Sequence, residues 1–192
     1  MDQIAIKPAR ACWVETQITD PTRKEKISGD YPVKIGRVVF DGSEFSASTF
    51  ADGKTTKRWK VGAITVASAN IEGHEEAYVD SIHNFSSTPS TRARFAGMEW
   101  ISLANCRGIA SLGGVACWHF DSLVARGNGP VASGRKAWID TTTGLPVARS
   151  ENGVQIGYHF EAAPSGPVPY TPVVQDFVKR YREKMARYCP GG

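Results

Sequence analysis

Along most of this chain apolar and polar side chains alternate every second residue, in short runs separated by turn residues. A period of two is the signature of a half-buried β-strand, and here it predicts about eleven of them. The first falls in 11–19, around Trp13, Val14, Thr16 and Ile18. After a charged loop over 20–32, strands follow at 33–40, 44–50, 54–61, 63–69 and 76–84. Asp41-Gly42 and Asp52-Gly53 mark two joins as hairpins, because such turns place both central residues at positive φ. Strands resume at 106–112, 115–123, 135–140, 145–150 and 154–162, with Gly113-Gly114 and Asn152-Gly153 at turns.

Two stretches break this rhythm. Between 86 and 105 the alternation lapses: Ser86 to Ser90 is loop chemistry, and 91–100 suits a short helix or a flap. Near the end, Val174, Phe177, Val178, Tyr181, Met185 and Tyr188 recur at three- and four-residue spacing, which predicts an amphipathic helix over 172–188. Thr171 stands where a cap is needed and Pro172 at the first helical position, where a missing N–H costs nothing. The remaining helix surface carries Lys179, Arg180, Arg182, Lys184 and Arg187, read as a solvated face. The chain is therefore expected to form one mainly β domain over 1–192. It would comprise a β meander over 11–84, a flap or loop over 86–105, hairpins over 106–162 and the C-terminal helix.

The faces of two strand pairs bear on function. Val154, Ile156, Tyr158 and Phe160 point one way and Gln155, Gly157, His159 and Glu161 the other, as in an antiparallel sheet with one wet face. The Gly113-Gly114 hairpin differs, carrying Ile109, Ala116, Trp118 and Phe120 on one face and Ala110, Leu112, Val115 and Cys117 on the other. A hairpin apolar on both sides needs cover on both, from a helix, a flap or a ligand. The five tryptophans at 13, 59, 100, 118 and 138 suit either a packed core or a lined cavity.

Composition narrows the class. At 192 residues, with 41% hydrophobic and 22% charged side chains, the chain is neither disordered nor fibrous. No apolar run approaches the roughly 18 residues of a membrane span. The net charge of +4 permits attraction to anionic surfaces without requiring it. Cysteines at 12, 106, 117 and 189 share no Cys-x-x-Cys spacing, which disfavours zinc and redox motifs. Their even number fits disulfides in an oxidising compartment, so all four are candidates. A bridge between Cys12 and Cys189 would tether the ends. A simple register at Gly113-Gly114 sets Cys117 opposite Ala110 and Cys106 opposite Asp121, about 13 Å apart along the strand and too far to bridge without a bulge. Met1-Asp2-Gln3 shows no secretion signal, so export implies a trimmed mature form.

Catalytic signatures are scarce. There is no Gly-x-Ser-x-Gly elbow, no Gly-x-x-x-x-Gly-Lys phosphate loop and no His-Glu-x-x-His. His119, Asp121 and His159 are the set from which an acid–base pair or metal site would be assembled, if His119 and His159 meet. Neither a metal nor a cofactor is expected. Nucleic-acid binding would need a basic stripe interleaved with exposed aromatics, and none is visible.

One stretch resembles a known family. Ala137-Trp138-Ile139-Asp140-Thr141-Thr142-Thr143-Gly144-Leu145-Pro146-Val147 is similar to the strand–turn–strand passage of the periplasmic lipoprotein-carrier (Lol-type) superfamily, and the hairpin from Gly108 to Phe120 is similar to the passage before it. Its local physics is that of a turn. Asp140 and Thr143 are placed to bond the turn backbone, Gly144 to take positive φ and Pro146 to start a strand. The resemblance implies a strongly curved, open antiparallel sheet, a half-barrel wrapped around a helix, with a hydrophobic cavity for acyl chains. The expected function is accordingly a non-enzymatic, exported or periplasmic binding protein for a lipid or other apolar ligand. Its candidate lining is Trp59, Trp100, Ile109, Trp118, Phe120, Trp138, Tyr158 and Phe160. The alternative is an envelope protein-interaction or structural module without a small ligand. The 86–105 segment discriminates, since an ordered plug against the sheet favours the alternative and an open cavity favours the ligand.

Overall fold

The computed structural model describes residues 4–18, 32–83, 94–124, 133–151 and 154–188. Eleven strands are present: β1 (Arg10–Ile18), β2 (Lys34–Phe40), β3 (Ser43–Thr49), β4 (Thr55–Val61), β5 (Ile64–Ile71), β6 (His74–Ile82), β7 (Cys106–Leu112), β8 (Val115–Val124), β9 (Ser133–Asp140), β10 (Pro146–Glu151) and β11 (Val154–Glu161). One α-helix, α1 (Pro172–Tyr188), follows them, and a 3-10 turn spans Leu103–Asn105. The strands hydrogen-bond in the order β6-β5-β4-β3-β2-β1-β11-β10-β9-β8-β7, so β6 and β7 are free edges and the sheet is not closed. Every strand pairing whose register is resolved is antiparallel. The expected class, a mainly β antiparallel sheet of eleven strands with a C-terminal helix, is the class observed.

Turn chemistry made the joins readable. Asp41 and Gly42 both take positive φ, at 45° and 91°, and so do Gly113 and Gly114, at 59° and 84°. Glu72 and Gly73, at 51° and 89°, form a hairpin turn that the alternation does not mark. The sixth strand accordingly starts at His74, two residues before its expected place. Glutamate rarely takes the left-handed conformation, so only its strand pairing reveals this turn. Of the expected loop at 20–32, residues 20–31 lie outside the described residues, as does the turn at Asn152-Gly153.

The chain groups into two compact units: 1–8, 13–27 and 90–160, and 9–12, 28–89 and 161–192. In the second unit a row of apolar residues crosses four strands, with Phe45 opposite Trp59, Trp59 opposite Val66 and Val66 opposite Val79. Helix α1 sets Val174 and Val178 onto this row, and both are buried with Trp59, Ile64 and Val66. The Trp59 ring meets Phe45 at 5.1 Å and Tyr170 at 6.3 Å. Burying an indole of this size contributes about 5 kcal/mol of gross transfer free energy. The helix begins as its sequence demands: Thr171 Oγ1 accepts the Val174 N–H at 3.4 Å and itself donates to Glu75 Oε1 at 2.9 Å. The buried Ser68 hydroxyl donates to the same carboxylate oxygen at 2.8 Å.

The first unit holds β7 to β11 (through Phe160), β1 from Trp13, the segment 94–105 and a short strap at 4–6. Asp140 organises its β9–β10 turn as expected, with Oδ1 accepting the N–H of Thr142 at 2.7 Å and of Thr143 at 3.4 Å. Thr143 Oγ1 accepts the Leu145 N–H at 3.2 Å, Gly144 takes φ 70°, and Pro146 opens β10.

Disulfides are a correction. Cys12, Cys106 and Cys117 are free thiols, and Cys189 lies outside the described residues. Cys117 stands opposite Ala110 as expected, but Cys106 stands opposite Phe120, not Asp121. A register shift between Cys106 and Ile109, where Gly108 takes φ 101°, moves the pairing by one residue. One residue of slip leaves the two sulfurs about 10 Å apart along the strands, still beyond bridging distance. With no bridge among the described residues, cysteine pairing lends no support to an oxidising compartment.

A covered aromatic face as the candidate functional site

Strand pairing decides which predicted residues share a surface in the first unit. Trp118 stands opposite Ile139, Phe120 opposite Ala137, Ala137 opposite Arg149 and Arg149 opposite Ile156. Directly paired residues share a face, so Trp118, Phe120, Arg149, Ile156 and, by the period of two, Tyr158 and Phe160 line one side. From β1, Trp13 joins them by stacking on Phe160 at 5.9 Å. Trp138 pairs with His119 and with Ala148, and therefore lies on the opposite side.

This aromatic face is occupied. Phe95 stands edge-on to Trp13 at 5.2 Å, to Phe160 at 5.9 Å and to Tyr158 at 6.1 Å. T-shaped contacts of this kind exploit the positive ring edge against a negative ring face. Phe95, Met98 and Ile101 are 1%, 0% and 4% exposed. The backbone they hang from bonds mainly nearby: Met98 N–H to Phe95 O, Ile101 N–H to Met98 O, and Phe95 N–H to Ala5 O in the strap. Ile6 and Arg94 form a bridge, and Arg94 donates to Ile101 O. Trp100 Nε1 donates to Gly97 O at 2.9 Å, and Asn105 Nδ2 to Trp100 O at 2.9 Å. The strap in turn hangs from the β9–β10 turn by Ala5 N–H to Gly144 O at 2.9 Å. Of the expected flap, 94–105 is thus a seated cover of bends and one 3-10 turn with no α-helix, and 86–93 lies outside the described residues.

The face also has polar members. Glu15, 7% exposed, accepts from Trp13 Nε1 at 3.1 Å. Two residues further along the same strand face, Gln17 has its side-chain oxygen buried without a hydrogen-bond partner among the described residues. Arg149 donates from Nε to Tyr158 OH at 3.0 Å, and Glu151 accepts from Arg135 at 2.7 Å.

The predicted lining is therefore distributed. Phe120 is buried on the face, while Trp118, Tyr158 and Phe160 are half-buried there. Ile109, opposite Trp118 on edge strand β7, is 64% exposed. Trp100 belongs to the cover, Trp138 to the reverse side, and Trp59 to the helix-packed core of the second unit. Phe95, Met98, Ile101, Arg149 and Gln17 were not singled out from the sequence. The i, i+3, i+6 spacing of Phe95, Met98 and Ile101 was the available signal, hidden because irregular backbone has no period of its own.

The acid–base set does not assemble. His119 lies on β8 and His159 on β11, with β9 and β10 between them, about 14 Å across strands spaced 4.7–4.9 Å. His119 stacks on Trp138 at 5.2 Å instead, with Nε2 buried and unpartnered among the described residues. No group of three or more His, Cys, Asp or Glu suited to a metal ion occurs among the described residues. No described helix is long and apolar enough to cross a membrane.

No family model matches this chain, and no curated protein matches it. Among solved structures it is similar to the Mycobacterium tuberculosis lipoprotein LppX, at 9% sequence identity and a TM-score of 0.47, over 85% of this chain and 90% of that chain.

Proposed function

We propose that this protein is a non-enzymatic, exported binding protein that holds a lipid or other apolar ligand against the aromatic face of its first unit. The observation that carries the reading is the seat of Phe95. A single apolar side chain from an irregular segment occupies a slot walled by Trp13, Tyr158 and Phe160. Non-directional apolar contact of this kind is exchangeable, because an acyl chain fills such a slot as well as a phenyl ring does. Glu15 and the unpartnered oxygen of Gln17 give the same face a polar end, as an amphiphile requires. Export is supported by the Lol-type resemblance of 137–147.

The test is native mass spectrometry and solvent extraction of the purified chain, followed by titration with a fluorescent fatty acid. A co-purifying lipid, or saturable binding that strengthens in Phe95→Ala, is expected. Absence of both from the native chain and from a folded Phe95→Ala variant overturns the reading.

A second reading, a protein-interaction or structural module, is favoured by the ordered 94–105 segment that plugs this face and by the depth at which its Phe95, Met98 and Ile101 are seated. On that reading the cover is permanent core, and Phe95→Ala loses stability without gaining any ligand.

A further inference from the structure

Charge is unevenly placed along this chain. Residues 179–187 hold five cations (Lys179, Arg180, Arg182, Lys184 and Arg187) against one acid, Glu183. That surplus of four equals the net charge of the whole protein, so the remaining residues balance. These residues are the C-terminal half of α1, the half furthest from its buried anchors Val174 and Val178. All five cations are exposed, and Arg180, Glu183, Lys184 and Arg187 line one shallow depression on the helix. Met185 continues the apolar stripe of Val174, Val178 and Tyr181, yet is 41% exposed. Among the described residues, no cation within 179–187 has an acidic partner other than Arg180, which pairs with Asp176 at 2.8 Å.

We infer that the C-terminal half of α1 is a docking surface for an anionic lipid membrane. Cations flanking an exposed apolar side chain on a helix suit the headgroup–acyl boundary, where ammonium and guanidinium groups meet phosphates and the apolar group enters the boundary region. Long Lys and Arg stems reach outward while covering apolar surface beneath them. A nucleic acid would satisfy the cations but would leave Met185 without an apolar partner. The inference stands on the second unit and does not depend on the aromatic face.

The experiment is co-sedimentation of the full chain with vesicles of phosphatidylcholine alone, or with phosphatidylglycerol at roughly a third of the lipid, at low and high salt. Binding is expected on the anionic vesicles only, weakening as salt rises. Each cation near such a surface is worth about fivefold in binding, so Lys184→Glu/Arg187→Glu should lose roughly 25-fold or more. Met185→Ser should lose about tenfold while leaving the salt dependence unchanged. Lys34→Glu/Lys57→Glu, the same charge change elsewhere on exposed residues, should bind within about twofold of the native chain. Helical circular dichroism confirms that each variant keeps α1. Equal binding to neutral vesicles, no binding to either, an equal loss in the Lys34/Lys57 variant, or tighter binding to a DNA duplex than to the anionic vesicles each overturns the inference.

Discussion

Arg149 lies directly over Gly97. A β-carbon built on that glycine would fall 2.8 Å from the arginine Nη1 and 3.2 Å from its guanidinium carbon. The guanidinium is held at Nε by Tyr158 OH at 3.0 Å and is paired through Nη1 with Glu151 Oε2 at 3.9 Å. The cover therefore meets the sheet at a place where a side chain would have to displace a tethered cation and adopt a left-handed backbone.

Gly97→Ala is expected to destabilise the protein by about 1–2 kcal/mol, since Gly97 takes φ 76° and an alanine there also displaces Arg149. Urea denaturation checks this, and native-like stability would mean that the cover is not fixed at this point.

Phe95→Ala removes a ring that is 1% exposed, and is expected to cost about 3–5 kcal/mol. Recovery of much of that loss on adding fatty acid would identify Phe95 as an exchangeable occupant of the slot, and no recovery would identify it as permanent core. The same denaturation series, run with and without ligand, measures both.

Trp59 offers a contrast of sign. Its indole is 3% exposed, yet Nε1 has no hydrogen-bond partner among the described residues. Trp59→Phe deletes an unsatisfied donor while losing some volume, and these opposed effects should leave stability within about 1 kcal/mol of the native chain. Trp59→Ala should cost about 3–5 kcal/mol.

Asp140 sets a pH dependence. The Thr142 N–H, followed by the other donors of Thr142 and Thr143, holds its carboxyl below the usual value of 3.8, with burial opposing. A carboxyl depressed in the folded state contributes stability that is present above the unfolded value and is lost as pH falls through the folded one. The stability difference between the native chain and Asp140→Ala should therefore be constant near neutrality and shrink as pH falls through the folded value, leaving only what the neutral carboxyl contributes. Paired denaturation curves across pH 2–7 check this, on the order-of-magnitude reference values for carboxyls.

Thiol chemistry checks the cysteines. Burial and the nearby charge of Asp140 push the Cys117 thiol up, and burial with the Glu161 carboxylate does the same for Cys12. The thiolate is the reactive form, so both should be alkylated slowly in the native state. Denaturation without reductant should expose at least the three free thiols, and peptide mapping should find Cys12, Cys106 and Cys117 all modified.

The residue pattern alone specifies the strands, most of the turns and the helix with its Thr171 cap. Each is written in a local period or in a residue type suited to an unusual φ, and local signals survive without knowledge of the fold. It also placed Cys117 opposite Ala110, because a two-glycine turn counts residues outward from itself. Only the tertiary structure decided that the alternating aromatics divide between surfaces, with Trp138 turned from Trp118 and Phe120, and Trp59 in another core. It alone decided that Phe95 fills the aromatic slot, that His119 and His159 stand three strands apart, and that Cys12, Cys106 and Cys117 stay single. These are outcomes of strand order and of a one-residue slip at Gly108, set by long-range packing to which a local pattern carries no address.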